Sequence, residues 1–246
     1  MRLIKNILGR LWAIWALMSF ITTFIIIYPP SMVTWLIPGY KGQDIFIKIA
    51  RVWIRVWLTL IGCRFVIEGK ENFKKGESYI ITCNHNSFLD PPLSSPFIQG
   101  PNKTIAKSDF EKIPLFKYYY RKGGILINRK SEESRRKGYE AMKQVLAQRI
   151  HMCIYPEGTR NRSDEPLKKF HNGAFRLAVE TGHAIMPAVI LNTKKVLPPN
   201  KTLWGWPGKI EIHFLEPVVP EQMDVEQLKE KIFAIMQNYY LQKEGQ

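Results

Sequence analysis

An α/β fold, with a mostly parallel central sheet flanked by helices and an N-terminal membrane-associated helical pair, is predicted by three features of this 246-residue chain. Short apolar runs recur seven times, helical patterning lies between many of them, and two of the runs end in polar turns carrying chemically active side chains. At 46% hydrophobic content the chain can bury one sizeable core. Residues 1–62 are therefore expected to form membrane-binding helices and residues 63–246 a single α/β domain.

Leu11 to Tyr28 is an uncharged run of 18 residues rich in Ile, Leu, Trp and Phe. As a helix it reaches about 27 Å, just short of the roughly 30 Å hydrocarbon core of a bilayer. Pro29-Pro30 is expected to break it. From Ile45 to Ile61, Lys48, Arg51 and Arg55 recur at three and four residues, while Trp53 and Trp57 share another face. That pattern predicts an interfacial helix with basic groups toward headgroups and aromatics toward acyl chains. Arg2, Lys5 and Arg10 precede the first apolar segment and Lys41, Lys48 and Arg51 follow it, so charge bias does not orient the pair. A hairpin dipping into one leaflet keeps both basic flanks on one side; a single span and a buried core helix are the alternatives.

Strands are expected near Arg64 to Ile67, Tyr79 to Thr82, Thr104 to Ala106, Ile125 to Ile127, Met152 to Tyr155, Ile185 to Leu191 and Ile210 to Phe214. Helices are expected over Glu132 to Arg149, Ala174 to Thr181 and about Val225 to Leu241. Another should start at Pro91, with Asp90 as its N-cap. In such an alternating fold, ligands gather at the C-terminal ends of parallel strands. Asn192 to Lys209, with Pro198-Pro199, Trp204 and Trp206, reads either as a loop on the membrane or as cover for the core, the second being the default.

The run Tyr79 to Thr82 leads into Asn84-His85-Asn86-Ser87-Phe88-Leu89-Asp90. An imidazole can take a proton from an attacking hydroxyl, and a nearby carboxylate can fix its tautomer and stabilise the imidazolium. Positions five apart lie about 140° apart around a helix, so His85 and Asp90 can meet only across a turn. On these residues alone a second reading stands level with the first, with Asp90 a plain cap and His85 a hydrogen-bonded core residue. Met152 to Ile154 leads into Tyr155-Pro156-Glu157-Gly158-Thr159-Arg160. There Gly158 permits close backbone approach, Thr159 offers a hydroxyl, and Arg160 supplies a planar fork that fits phosphate. Glu157 would repel phosphate and is expected to hold Arg160 or backbone N–H groups in place.

These blocks, in this order, resemble the glycerolipid acyltransferase family. Asn84, His85 and Asp90 match its first block, Gly124-Ile125-Leu126-Ile127-Asn128-Arg129 the second, Tyr155 to Arg160 the third, and Ala184 to Ile190 around Pro187 the fourth. Asn128 stands where an acidic residue is frequent and Asn161 where Ser is common. The resemblance runs from about Arg64 to about Val219. It implies that His85 deprotonates an acceptor hydroxyl attacking an acyl thioester, that Asp90 orients His85, and that Arg129, Arg160 and Lys107 bind the acceptor's phosphate. Glu157, Gly158 and Thr159 would shape that pocket. It implies lysophosphatidate as acceptor, acyl-CoA or an acyl carrier protein thioester as donor and co-substrate, and no other cofactor. It also implies attachment by the N-terminal helices to the cytoplasmic face of the inner or plasma membrane.

Between Lys103 and Arg176 the chain carries 18 Lys and Arg against 8 Asp and Glu, a surplus of 10 in the segment that holds the second and third blocks. Such a surface concentrates anionic lipid or an acidic acyl donor. Nucleic acid is not expected as a partner, because no helix-turn-helix, zinc or aromatic-platform signature accompanies the charge. The five His and three Cys are scattered, without metal-ligand spacing. Cys63, Cys83 and Cys153 make an odd set suited to a reducing compartment, and Cys83 reads as structural. Two alternatives accompany the main expectation: an acyltransferase for another lysophospholipid or an amino-acid-derived lipid, and a non-catalytic membrane-anchored binder of anionic lipid.

Overall fold

A computed structural model describes residues 2–244. Helix α1 spans Arg2–Val33 and α2 spans Gly39–Leu60. The strands are β1 (Arg64–Glu68), β2 (Ile80–Cys83), β3 (Asn102–Lys107), β4 (Gly124–Ile127), β5 (His151–Ile154), β6 (Ile185–Leu191) and β7 (Lys209–Phe214). Between them lie α3 (Asp90–Ser94), α4 (Phe116–Gly123), α5 (Glu132–Ala147), α6 (Gly173–Thr181) and α7 (Thr193–Val196), and α8 (Val225–Glu244) follows. Each expected strand is present within a residue or two, and the central strands β2, β5 and β6 are buried throughout, as short apolar runs enclosed on both faces are.

Among the described residues the seven strands form one sheet in the order β1-β7-β6-β2-β5-β3-β4. Pairing is parallel throughout except between β6 and β7. One face buries Met142 and Leu146 of α5, Phe175 and Ala178 of α6, and Leu228, Ile232 and Met236 of α8. The other carries Leu93 of α3, Phe97 and, further out, Trp53, Ile54 and Trp57 of α2. From β2 the chain moves past β5 to reach β3, whereas from β5 it returns past β2 to reach β6. Connections leaving two neighbouring parallel strands in opposite directions open a crevice at their C-terminal ends. Both polar turns sit there.

Local chemistry fixes the supporting helices. The Ser131 side chain accepts a hydrogen bond from the Ser134 N–H at the start of α5, with Glu132 and Glu133 in its first turn. Gly138 lets α5 lie close on the sheet, since a Cβ there would meet Ile127 Cδ1 at 2.6 Å. The Pro187 carbonyl accepts from Leu215 N–H just beyond β7, and the antiparallel ladder starts one residue later at Ala188.

Three expectations are corrected. Pro29 and Pro30 do not end α1, which continues to Val33. The carbonyls they leave without a helical partner belong to exposed Ile25 and Ile26, and Phe24 packs on Phe116 and Tyr119 at 5.0 and 5.3 Å, holding the segment in place. Trp53 and Trp57 do not face outward. They are buried against α1, where their indole N–H groups donate to Thr23 Oγ1 at 2.9 Å and to the Ala16 carbonyl at 3.0 Å. The outward apolar surface is instead that of α1, from Leu3 to Ile26, together with Val52, Val56 and Leu60 of α2. Third, α3 starts at Asp90 rather than Pro91, and Asp90 is not its cap.

The Asn192 to Lys209 stretch contains α7 and covers the first half of α1. Gly205 N–H donates to the Gly9 carbonyl at 3.2 Å, and a Cβ on Gly205 would overlap Trp12.

Candidate active site

The turn after β2 is organised around Asp90, which is fully buried. Its Oδ2 accepts from Asn86 N–H at 2.6 Å and Ser87 N–H at 2.7 Å, and lies 2.8 Å from His85 Nδ1. Thr193 Oγ1 donates to Oδ1 at 2.7 Å. A carboxylate accepting this many bonds is an acceptor only, so the proton of the pair sits on Nδ1 and Nε2 is left as the basic nitrogen. His85 and Asp90 therefore meet across the turn.

Asn84, also fully buried, fastens this turn to β6 by donating to the Ile190 carbonyl at 2.9 Å and accepting from Ile190 N–H at 2.7 Å. The turn after β5 fastens its other side. Glu157 Oε1 accepts from His85 N–H at 2.7 Å and Oε2 from Lys168 N–H at 3.2 Å. Asn161 N–H donates to the His85 carbonyl at 2.6 Å. Of the two roles expected for Glu157, holding backbone N–H groups is the one observed. Burial pushes its carboxyl up to about 7, against the two N–H bonds that favour ionisation.

His85, Arg129, Arg160, Gly158, Thr159 and Lys107 all line one cavity of about 650 Å³. Tyr155 packs on the His85 ring at 4.6 Å, and its phenol oxygen lies 2.6 Å from Ser94 Oγ. Burial holds that phenol well above its ordinary range, so it remains a neutral hydroxyl. Gly158 has φ +69°, the left-handed region a side chain rarely adopts, and its carbonyl accepts from Arg129 Nη1. Lys168 Nζ donates to Thr159 Oγ1 at 2.7 Å, which adds another ammonium to the pocket. Partial burial pulls both guanidinium groups down from their usual range, yet arginine remains a cation in proteins. The cavity thus sets an imidazole base beside several cations.

Sequence reasoning missed three residues here. Phe88, inside the first block and 65% exposed, places its ring 3.5 Å from the Arg160 guanidinium carbon, a cation–π contact that holds the cation at the rim. Its signal was an aromatic between the His and the Asp. Lys168 lies in Lys168-Lys169-Phe170 before Gly173-Ala174, a lesser feature of the family resemblance that carries no role of its own in the sequence. Thr193 gave no signal at all, being 103 positions from Asp90.

A cleft of about 90 Å³ lined by Phe46, Ala50, Trp53, Tyr119 and Gly123 adjoins the polar cavity, and Pro91, Thr104 and Tyr120 line both. Cys83 and Cys153 lie beneath the site, buried, free and 3.9 Å apart.

Comparison with known proteins places the chain in a family. A family model described as Acyltransferase matches residues 64–191. The 1-acyl-sn-glycerol-3-phosphate acyltransferase of Borreliella burgdorferi is 27% identical over 194 residues, covering 78% of this chain and 76% of the relative. The enzyme of the same name from Escherichia coli is 30% identical over 162 residues, 63% of either chain. The crystal structure of the 1-acyl-sn-glycerophosphate (LPA) acyltransferase from Thermotoga maritima superposes with a TM-score of 0.81 at 25% identity, over 100% of this chain and 99% of that one.

Proposed function

The chain belongs to the acyltransferase family whose pattern spans residues 64–191, and from that premise we propose that it moves a fatty acyl group from an acyl thioester to the free hydroxyl of 1-acylglycerol-3-phosphate, giving phosphatidate. The observation that carries this reading is that His85 and Arg160 line the same cavity. With the acceptor's phosphate on Arg160, Arg129 and Lys107, its hydroxyl reaches His85 Nε2. The imidazole takes the hydroxyl proton as the oxygen attacks the thioester carbonyl. As the tetrahedral intermediate collapses, the carbon–sulfur bond breaks and the imidazolium returns the proton to the leaving thiolate. Asp90 stabilises the imidazolium in between. No acyl-enzyme is needed. The donor is acyl-CoA or an acyl carrier protein thioester, and the apolar cleft beyond Pro91, Thr104 and Tyr120 receives the start of its acyl chain.

Residues 1–62 attach the enzyme to the cytoplasmic face of the inner or plasma membrane. Among the described residues one helix, at the N-terminus, is long and apolar enough to cross a bilayer by length and composition. Its inner face is covered by the rest of the chain from Gly9 to Phe24, about 22 Å of helix. A perpendicular span would draw those covering segments into hydrocarbon, so α1 and α2 lie in one leaflet.

The test is incubation of the purified protein with lysophosphatidate and a labelled acyl thioester, beside the His85→Ala variant. Labelled phosphatidate from the wild type and at least about a hundredfold less from the folded variant is expected. Near-normal turnover by the variant overturns the assignment of the base, and no product from the wild type overturns the acceptor.

A further inference from the structure

We infer that two loop tips of the α/β domain, around Leu115 and around Leu203, enter the headgroup region of an anionic bilayer alongside α1. The inference rests on the reading that α1 and α2 meet a membrane, and extends it to segments outside them.

Two independent features single out these tips. Leu115 has φ +63° and Leu203 φ +46°, and both side chains are about half exposed, at 49% and 51%. A leucine at positive φ strains the backbone, and an exposed one recovers nothing by packing within the chain. Glycine would serve better at either place if folding alone were at stake. Leucine at both suggests contacts outside the folded chain.

The second feature is where the tips lie. The segment holding Leu203 docks on the first half of α1, with Gly205 N–H on the Gly9 carbonyl and Lys5 Nζ 5.7 Å from the Trp206 ring. The segment holding Leu115 runs into Phe116, whose ring packs on Phe24 in the second half of α1. Each tip therefore adjoins the helix that carries the exposed apolar residues from Leu11 to Ile26, with exposed Lys5 and Arg10 at its start. Each also carries its own interfacial composition, with exposed Ile113 and Tyr118 on one and Trp206 on the other. Lys112 and Lys201 are exposed beside them. Apolar tips with flanking lysines match a surface of acyl chains under anionic headgroups. A second copy of the chain would not need the lysines.

The test measures binding of the full chain to sedimented vesicles of mixed phosphatidylcholine and phosphatidylglycerol, and to phosphatidylcholine alone. The Leu115→Gly/Leu203→Gly double variant should keep or raise its Tm, because glycine relieves both conformations. Its partitioning to the mixed vesicles should fall about tenfold or more. The Ile113→Ser/Trp206→Ser pair, which leaves those two conformations alone, should weaken partitioning in the same direction and decides the matter if the glycine variant melts early. Folded variants that partition like the wild type overturn the proposal. Wild-type protein that stays in the supernatant overturns the membrane reading beneath it, and a dimer lost in the variants without a change in partitioning replaces the bilayer with a second copy.

Discussion

The Thr193 hydroxyl and the Asp90 carboxylate are joined by a buried 2.7 Å hydrogen bond at the oxygen that His85 does not use. Thr193 begins α7, directly after Asn192 at φ +66°, so the end of β6 delivers a hydroxyl to the dyad. Removing it leaves a buried carboxylate oxygen short of a donor, at a cost of about 1–3 kcal/mol. Thr193→Val should lower kcat about tenfold, shift the pH–rate profile and leave the acceptor's KM nearly unchanged, and Thr193→Ser should restore both. Steady-state kinetics across pH check this; a Val variant that only lowers Tm would make Thr193 merely structural.

Glu157 gives a pH prediction with a definite sign. Its folded carboxyl titrates near 7, above the ordinary carboxylate value, so between about 4.3 and 7 the folded state binds more protons than the unfolded one. Stability from this group is complete below that window, falls as pH rises through it and is flat above. Glu157→Gln removes the titration. Unfolding free energy of wild type relative to Glu157→Gln should therefore drop by about 3–4 kcal/mol from the bottom of the window to the top. Denaturant titrations at several pH values test it, and parallel curves would contradict it.

Much of this site is legible in the sequence because its chemistry is local. His85 and Asp90 lie in one turn, Tyr155 to Arg160 in another, and the apolar runs before both announce parallel strands that bring the turns together. What is not legible depends on tertiary contacts. The two tryptophans of α2 look like membrane anchors because a basic, aromatic amphipathic helix has the same pattern whether its aromatic face meets lipid or another helix; partners at Ala16 and Thr23 decide it. Pro29 and Pro30 read as a break by local rule, yet packing of Phe24 holds the helix through them. Thr193 is ordinary until the fold carries it to Asp90.

The cleft beside Gly123 predicts control of acyl length. A Cβ on Gly123 would meet the Phe46 ring at 3.1 Å, so Gly123→Val narrows the apolar space without touching His85 or Arg160. Each methylene excluded forfeits about 0.8 kcal/mol. Competition between acyl thioesters of different length should show the variant favouring shorter chains, with turnover on the shortest little changed. An unaltered chain-length profile would place the acyl group elsewhere.

The central claim is that the imidazole of His85 acts on a hydroxyl whose phosphate is held by Arg160, and acceptor discrimination reads it most directly. The measurement is kcat/KM for 1-acylglycerol-3-phosphate relative to 1-acylglycerol, in the wild type and in Arg160→Ala. The wild type should favour the phosphate-bearing acceptor strongly, and the variant should lose about a hundredfold of that preference while its rate on 1-acylglycerol is unchanged, consistent with about 1.5–3 kcal/mol for a charge-assisted contact. A variant that keeps the wild-type preference would contradict the claim.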